Sequence, residues 1–244
     1  MKKITALLLV VVLAVFALAS CAPAAYFEIT AEQYEKAKIK SEGVMTYAEY
    51  DAAALDSAVV IEGYVQATQS WWDNKITVYL ADLDGAYFLY ELACSEADAA
   101  KLTPGTKIKV TGTKGAWAGE VEVMDATFTF IADESDRLVL PALNVSSLIG
   151  KDSLVNYQNQ KVVFKGMTVV SVEYKNGERG DDIYLTCSKG ETEVSFCVEM
   201  YLTGPDTDVY KAVEALTAGD VVDVEAFLYW YNGANPHVTG VSAQ

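Results

Sequence analysis

Val59-Val60-Ile61-Glu62-Gly63 recurs 103 residues later as Val162-Val163-Phe164-Lys165-Gly166, and that recurrence decides the fold. Two further blocks follow in the same order. Val78-Tyr79-Leu80 returns as Ile183-Tyr184-Leu185, and Leu102-Thr103-Pro104-Gly105-Thr106 returns as Leu216-Thr217-Ala218-Gly219-Asp220. The spacing between copies grows only between the blocks, as insertions in loops would make it grow, so the chain carries one domain twice.

Within the first copy, Ile76, Val78 and Leu80 alternate with Lys75, Thr77 and Tyr79, and Ile108 and Val110 alternate with Lys107 and Lys109. Val121 and Val123 alternate likewise with Glu120 and Glu122. Such period-two runs predict strands with one dry face. Asp84-Gly85 is a hairpin turn signal, and Ser95 to Leu102 reads as a short helix stopped by Thr103-Pro104-Gly105. The predicted order is three strands, a helix and two strands. The second copy repeats it, with Asp206 to Leu216 as the helix and Val221 to Tyr229 as its fourth strand. Upstream, Thr30 with Gln33 and Thr46 with Glu49 have the spacing of helix capping boxes.

That order, with a glycine inside the first long strand, resembles the OB-fold, a five-stranded Greek-key barrel with its helix between strands three and four. The resemblance covers roughly residues 46–244. It implies an all-β protein with short helices, built as two tandem OB-fold-like barrels. The whole chain also resembles the tandem-OB lipoproteins of gut Firmicutes. The expected divisions are 1–20 as a signal peptide, 21–43 as a tether with a short helix, 44–135 as the first barrel and 136–244 as the second.

The OB resemblance implies a ligand face on strands two and three, flanked by the loops joining strands one to two and four to five. Trp71-Trp72-Asp73-Asn74 falls in the first of these loops, and Trp117 in the second. In the second copy the matching hairpin carries Trp230 and Tyr231. Aromatic rings beside amides and carboxylates suit a sugar or peptide platform. Trp71, Trp72, Asp73, Asn74, Trp117, Trp230 and Tyr231 are therefore the expected ligand-binding residues. The competing reading is that these tryptophans plug the barrel ends or fill an interface between the domains. Trp71 and Trp72 are adjacent in an extended segment, so they point opposite ways and at least one faces outward.

Lys2 and Lys3, an apolar run from Ala6 to Leu18 and then small residues form a signal peptide. Leu18-Ala19-Ser20-Cys21 resembles the bacterial lipobox, which implies that Cys21 is lipidated and that the mature chain is held on the extracytoplasmic face of the cell membrane by two acyl chains. The expected partners are thus the membrane, through this anchor, and a glycan or protein segment.

The 244 residues carry a formal net charge of −16, and loss of Lys2 and Lys3 makes the mature chain more acidic still. Nucleic acid is an unlikely partner on that balance, because phosphate must be met by Lys and Arg. His237 is the sole histidine and reads as a loop residue with no nucleophile motif near it. Asp181-Asp182 and Asp206-Thr207-Asp208 lack the spacing of a calcium loop, and Asp206 reads as a helix cap. No catalytic residue, metal site or cofactor is expected. Cys94, Cys187 and Cys197 read as three buried free thiols, with Lys189-Gly190 as the turn that would set Cys187 opposite Thr192. The expected protein is a non-catalytic lipoprotein that binds an extracellular glycan or protein segment. A nucleic-acid-binding OB module and a structural or assembly lipoprotein are the alternatives.

Overall fold

The computed structural model describes residues 29–131 and 136–244. The signal peptide, Cys21 and most of the boundary around residue 133 lie outside the described residues. Among the described residues no helix is long and apolar enough to cross a membrane.

Two short helices open the chain, α1 at Ala31–Ala37 and α2 at Tyr47–Ala52. Both begin with the reciprocal Thr/Gln or Thr/Glu capping bonds that the spacing predicts. The first barrel comprises β1 at Ala58–Thr68, β2 at Lys75–Ala81, β3 at Ala86–Ala93, α3 at Glu96–Ala99, β4 at Lys107–Trp117 and β5 at Glu120–Phe130. Its strands close in the order β1-β2-β3-β5-β4, with β1 antiparallel to β4 and β3 parallel to β5.

The second barrel follows β6, a two-residue strand at Leu143–Asn144. It comprises β7 at Lys161–Tyr174, β8 at Ile183–Lys189, β9 at Thr192–Val198, α4 at Asp208–Glu214, β10 at Val221–Phe227 and β11 at His237–Ala243. Its sheet order is β10-β11-β9-β8-β7-β6, and the β10–β7 pairing closes the ring. The protein is therefore mostly β, with two sequential barrels of OB topology.

The repeat blocks occupy matching places. Ile61 pairs with Val110 as Phe164 pairs with Val224. The Gly105 N–H donates to the Val65 carbonyl, and the Gly219 N–H donates to that of Val169. The two glycines inside the long strands differ in use. A Cβ on Gly63 would lie 2.9 Å from the Ala81 carbonyl oxygen, whereas Gly166 sits in the left-handed region with φ +62°. One glycine admits a close strand crossing and the other a left-handed kink.

Each barrel has its own core. Val59, Ile61, Val78, Leu89 and Ile108 fill the first, and Phe164, Leu185, Phe196, Val224 and Val238 fill the second. Residues at both ends of the first barrel's sequence also lie on its surface. Ile29, Ala37, Leu138 and Leu140 pack together around Tyr64, and buried Lys107 pairs with Glu62 and Asp136.

Three local readings change. The cap of α4 is Thr207, whose hydroxyl accepts from the Tyr210 N–H, so Asp206 lies before the cap. The β8–β9 register sets Lys189 opposite Thr192, which makes Gly190-Glu191 the turn and puts Cys187 opposite Val194. His237 begins β11 and is buried, so it is no loop histidine. Cys94, Cys187 and Cys197 are free and buried.

Candidate functional site

The outer face of β2 and β3 in the first barrel carries Thr77, Tyr79, Phe88 and Tyr90, because the alternate residues Val78, Leu80, Tyr87 and Leu89 point into the core. The second barrel covers most of this face. Tyr79 stacks on Phe227 with ring centroids 4.3 Å apart, Phe88 meets the edge of Tyr229 at 5.2 Å, and Tyr229 stacks on His237 at 4.3 Å. Tyr79, Phe88 and Phe227 are all buried.

His237 Nδ1 lies 2.5 Å from the Tyr79 hydroxyl. The Gln69 amide donates to that hydroxyl at 3.5 Å, which leaves the phenol proton for the ring nitrogen and the histidine proton on Nε2. Burial fits both assignments, since it pushes the phenol well above its usual range and the imidazole down to about 3. A neutral acceptor and a neutral donor are thus shut inside a dry junction. The arrangement joins the barrels through a hydrogen bond closed to solvent.

Hydrogen bonds continue the junction along its rim. The Trp230 N–H donates to Glu120 Oε2 at 2.8 Å, the Asn232 N–H to the Ala118 carbonyl at 2.6 Å, and the Asn159 amide to the Val121 carbonyl at 2.9 Å. Gln158 donates to the Gly119 carbonyl at 2.9 Å and accepts from the Val121 N–H at 3.2 Å. At the other end, the Ser70 N–H donates to the Tyr201 carbonyl at 2.8 Å.

The seven expected ligand residues divide into two groups. Trp71 packs against the first core and donates its Nε1–H to the Cys94 carbonyl at 2.8 Å, whereas Trp72 is 80 % exposed. Asp73 and Asn74 both have positive φ between Trp72 and Lys75, whose backbones exchange two hydrogen bonds, so this pair forms the tight hairpin turn. Their residue types serve the turn before any ligand.

Trp117, Trp230 and Tyr231 form the second group. The hairpin Trp117–Glu120 turns through Ala118 and Gly119, both with positive φ. Trp230 lies against Gly119, where an added Cβ would come within 2.8 Å of Cδ1 of its ring. The Asn232–Ala118 bond joins the two hairpins, and Trp117 at 63 % and Tyr231 at 55 % exposure stand on the adjoining turns. Tyr90, 44 % exposed, continues the same face of β3.

The two groups do not converge. Lys75, beside Trp72, pairs with Ala93 at one end of β3, while β5 enters near the other end, with Glu122 opposite Phe88. At about 3.3 Å per residue the tryptophan loops are separated by roughly 20 Å of strand. The loops therefore bracket the face from opposite ends instead of meeting at one.

Tyr79, Phe88, Phe227 and His237 are the interface residues that strand periodicity missed. Tyr79 and Phe88 stand at outward positions, and the detectable signal was aromatic residues where alternation calls for polar ones. Among the described residues no group of His, Cys, Asp and Glu is placed to hold a metal.

No family model matches the chain, and none of the curated proteins compared with it matches. Similar solved structures include asparaginyl-tRNA synthetase from Pyrococcus horikoshii complexed with asparaginyl-adenylate, at 21 % identity and TM-score 0.26, over 34 % of this chain and 19 % of the synthetase. The S. pombe Stn1–Ten1 complex gives 21 % identity and TM-score 0.28 over 32 % of this chain and 61 % of that one. The chain thus spans less than two thirds of either. The Ifi202 HINa domain in complex with a 20-bp double-stranded DNA gives 14 % identity and TM-score 0.33 over 75 % of this chain and 93 % of the domain.

Proposed function

We propose that the chain is a non-catalytic, lipid-anchored extracytoplasmic protein that binds a glycan or an extended protein segment on the aromatic rim where its two barrels meet. The observation that carries this reading is the Asn232 N–H bond to the Ala118 carbonyl, which sets the exposed rings of Trp117 and Tyr231 on adjoining turns. Exposed rings stack on the apolar faces of sugars, and the Asn232 carboxamide beside them supplies polar partners for hydroxyl groups. Trp72, at the far end of the face, contributes a separate contact for a long ligand.

The test is a glycan and peptidoglycan-fragment array on the soluble chain beginning at residue 22, followed by affinity measurements on Trp117→Ala and Tyr231→Ala. Each substitution should weaken binding about five- to a hundredfold, from roughly 1–3 kcal/mol per stacked ring, with the melting temperature unchanged. Unchanged affinity in both variants removes the rim as the site.

Nucleic acid is the second reading, because the fold is that of an OB module and such barrels hold oligonucleotides on the strand-two and strand-three face. In the first barrel Phe227 and Tyr229 cover that face, and the acidic balance opposes phosphate. Short single- and double-stranded DNA at low salt form a further arm of the same array, and tight DNA binding without glycan binding would reverse the order of the two readings.

A further inference from the structure

Glu120 is fully buried where the first barrel's last hairpin meets the second barrel. Its Oε2 accepts the Trp230 N–H, but nothing donates to Oε1. Asn159, just before β7, lies within hydrogen-bonding reach of the same carboxyl. Its amide nitrogen donates to the Val121 carbonyl. Glu120 Oε1 is thus a buried acceptor with no hydrogen bond, in a carboxyl whose charge the dry junction opposes. A proton on Oε1 removes that charge while Oε2 still accepts from Trp230.

We infer that Glu120 is the acid form of a proton-dependent latch, which holds the two barrels docked while protonated and loosens them when the proton leaves. Burial has the largest effect on this carboxyl and favours the acid form, against the hydrogen bonds from Trp230 and Asn159, which favour the charged one. Glu122 on the same strand is acidic, and the neighbouring phenols of Tyr47, Tyr50, Tyr79 and Tyr229 all feel its charge. His237, stacked on Tyr229, is neutral. Lys114 on β4 is spent on the carbonyls of Tyr50, Asp51 and Ala53. Burial therefore acts without a compensating cation, and it pushes Glu120 up to about 8.

The sign of the pH effect follows. In the undocked state an exposed Glu120 releases its proton in the ordinary carboxylate range, while the docked state keeps it until about 8. Docking is strongest on the acid side of that window, and its equilibrium constant falls up to about tenfold per pH unit as pH rises through it. Beyond about 8 this contribution is gone.

The experiment compares the full chain with Glu120→Gln by small-angle scattering and thermal unfolding from pH 5 to pH 9.5. Glutamine keeps an oxygen for the Trp230 N–H and has no proton to lose. The expected result is that the wild type opens and loses melting temperature toward high pH and that the variant loses less, the difference growing between pH 5 and 8. Equal pH profiles for the two proteins overturn the latch. Should Glu120→Gln fail to fold, carboxyl carbon shifts of glutamate-labelled wild type decide the matter. Glu120 titrating near 8 supports the latch, and titration near 4.5 overturns it.

Discussion

The outer faces of β2 in the first barrel and β8 in the second descend from the same repeat block, yet they live in different surroundings. Along β2 every residue after Lys75 is buried, so both faces of the strand are dry; along β8 buried Ile183, Leu185 and Cys187 alternate with half-exposed Tyr184, Thr186 and Ser188. Tyr79 and Tyr184 are the matched residues. The first is shut between Phe88, Phe227 and His237, and the second stands half exposed opposite Cys197. Duplication therefore gave two copies of one ligand face, and the protein uses the first as glue. The uncovered β8–β9 face is lined by hydroxyl-bearing side chains, with Thr186 opposite Ser195 and Ser188 opposite Glu193.

The matched tyrosines give the sharpest way to break this comparison. Tyr79→Ala should cost about 3 kcal/mol or more, because it empties a ring-sized space in a packed junction and strips His237 of its partner. Tyr184→Ala should cost under about 1 kcal/mol. Chemical denaturation of both variants checks the contrast, and equal losses would mean that the two faces are not differently used.

A pH profile sharpens it. His237, held down to about 3, takes up a proton in the unfolded chain but not in the folded one, so below its ordinary value of 6.5 it subtracts stability as pH falls. Glu120, raised to about 8, and Glu199, raised to about 7, work the other way, adding stability as pH falls toward 4.5. The histidine offsets one of these protons. His237→Gln should therefore steepen the gain in stability between pH 6.5 and 4.5 by up to about 1.4 kcal/mol per pH unit relative to wild type, as read from melting curves at matched ionic strength.

Smaller effects belong to the rim. Gly119→Ala forces a side chain into left-handed backbone against the Trp230 ring, and should cost about 1–3 kcal/mol while raising the accessibility of Trp230 to a fluorescence quencher. Trp72→Ala removes a ring that stands in solvent and should change stability by no more than about 0.5 kcal/mol. A larger loss from Trp72→Ala would give that ring a structural role.

The sequence showed the barrels better than their junction, and the reason is physical. Strand periodicity, capping boxes and the repeat are local signals, and β2, β4 and β5 formed where alternation placed them. The shift from Lys189-Gly190 to Gly190-Glu191 as the β8–β9 turn shows how far one glycine can mislead about register when both neighbours are polar. The junction joins residues far apart in the chain, such as Tyr79 to His237, and no spacing rule links them. Trp71 and Trp72 were separable by the opposite directions of neighbouring residues, and they do divide into one packed and one exposed ring. That the tryptophan loops stand at opposite ends of the face could only come from the pairing of β3 with β5.

One small pairing, repeated in both barrels, bears on solubility. The first half of β1 has β4 on one side and is not reached by β2 on the other; there the Met45 N–H donates to the Val60 carbonyl. In the second barrel β6 lies along the equivalent stretch of β7, and the Val145 N–H donates to the Val163 carbonyl. Each barrel thus has a raw strand edge stoppered by the few residues that precede it. An unpaired edge is a template for another chain. A fragment cut just after Met45 or just after Val145 would carry its barrel with that edge open, and would be expected to grow by strand addition into aggregates that the longer fragment does not form.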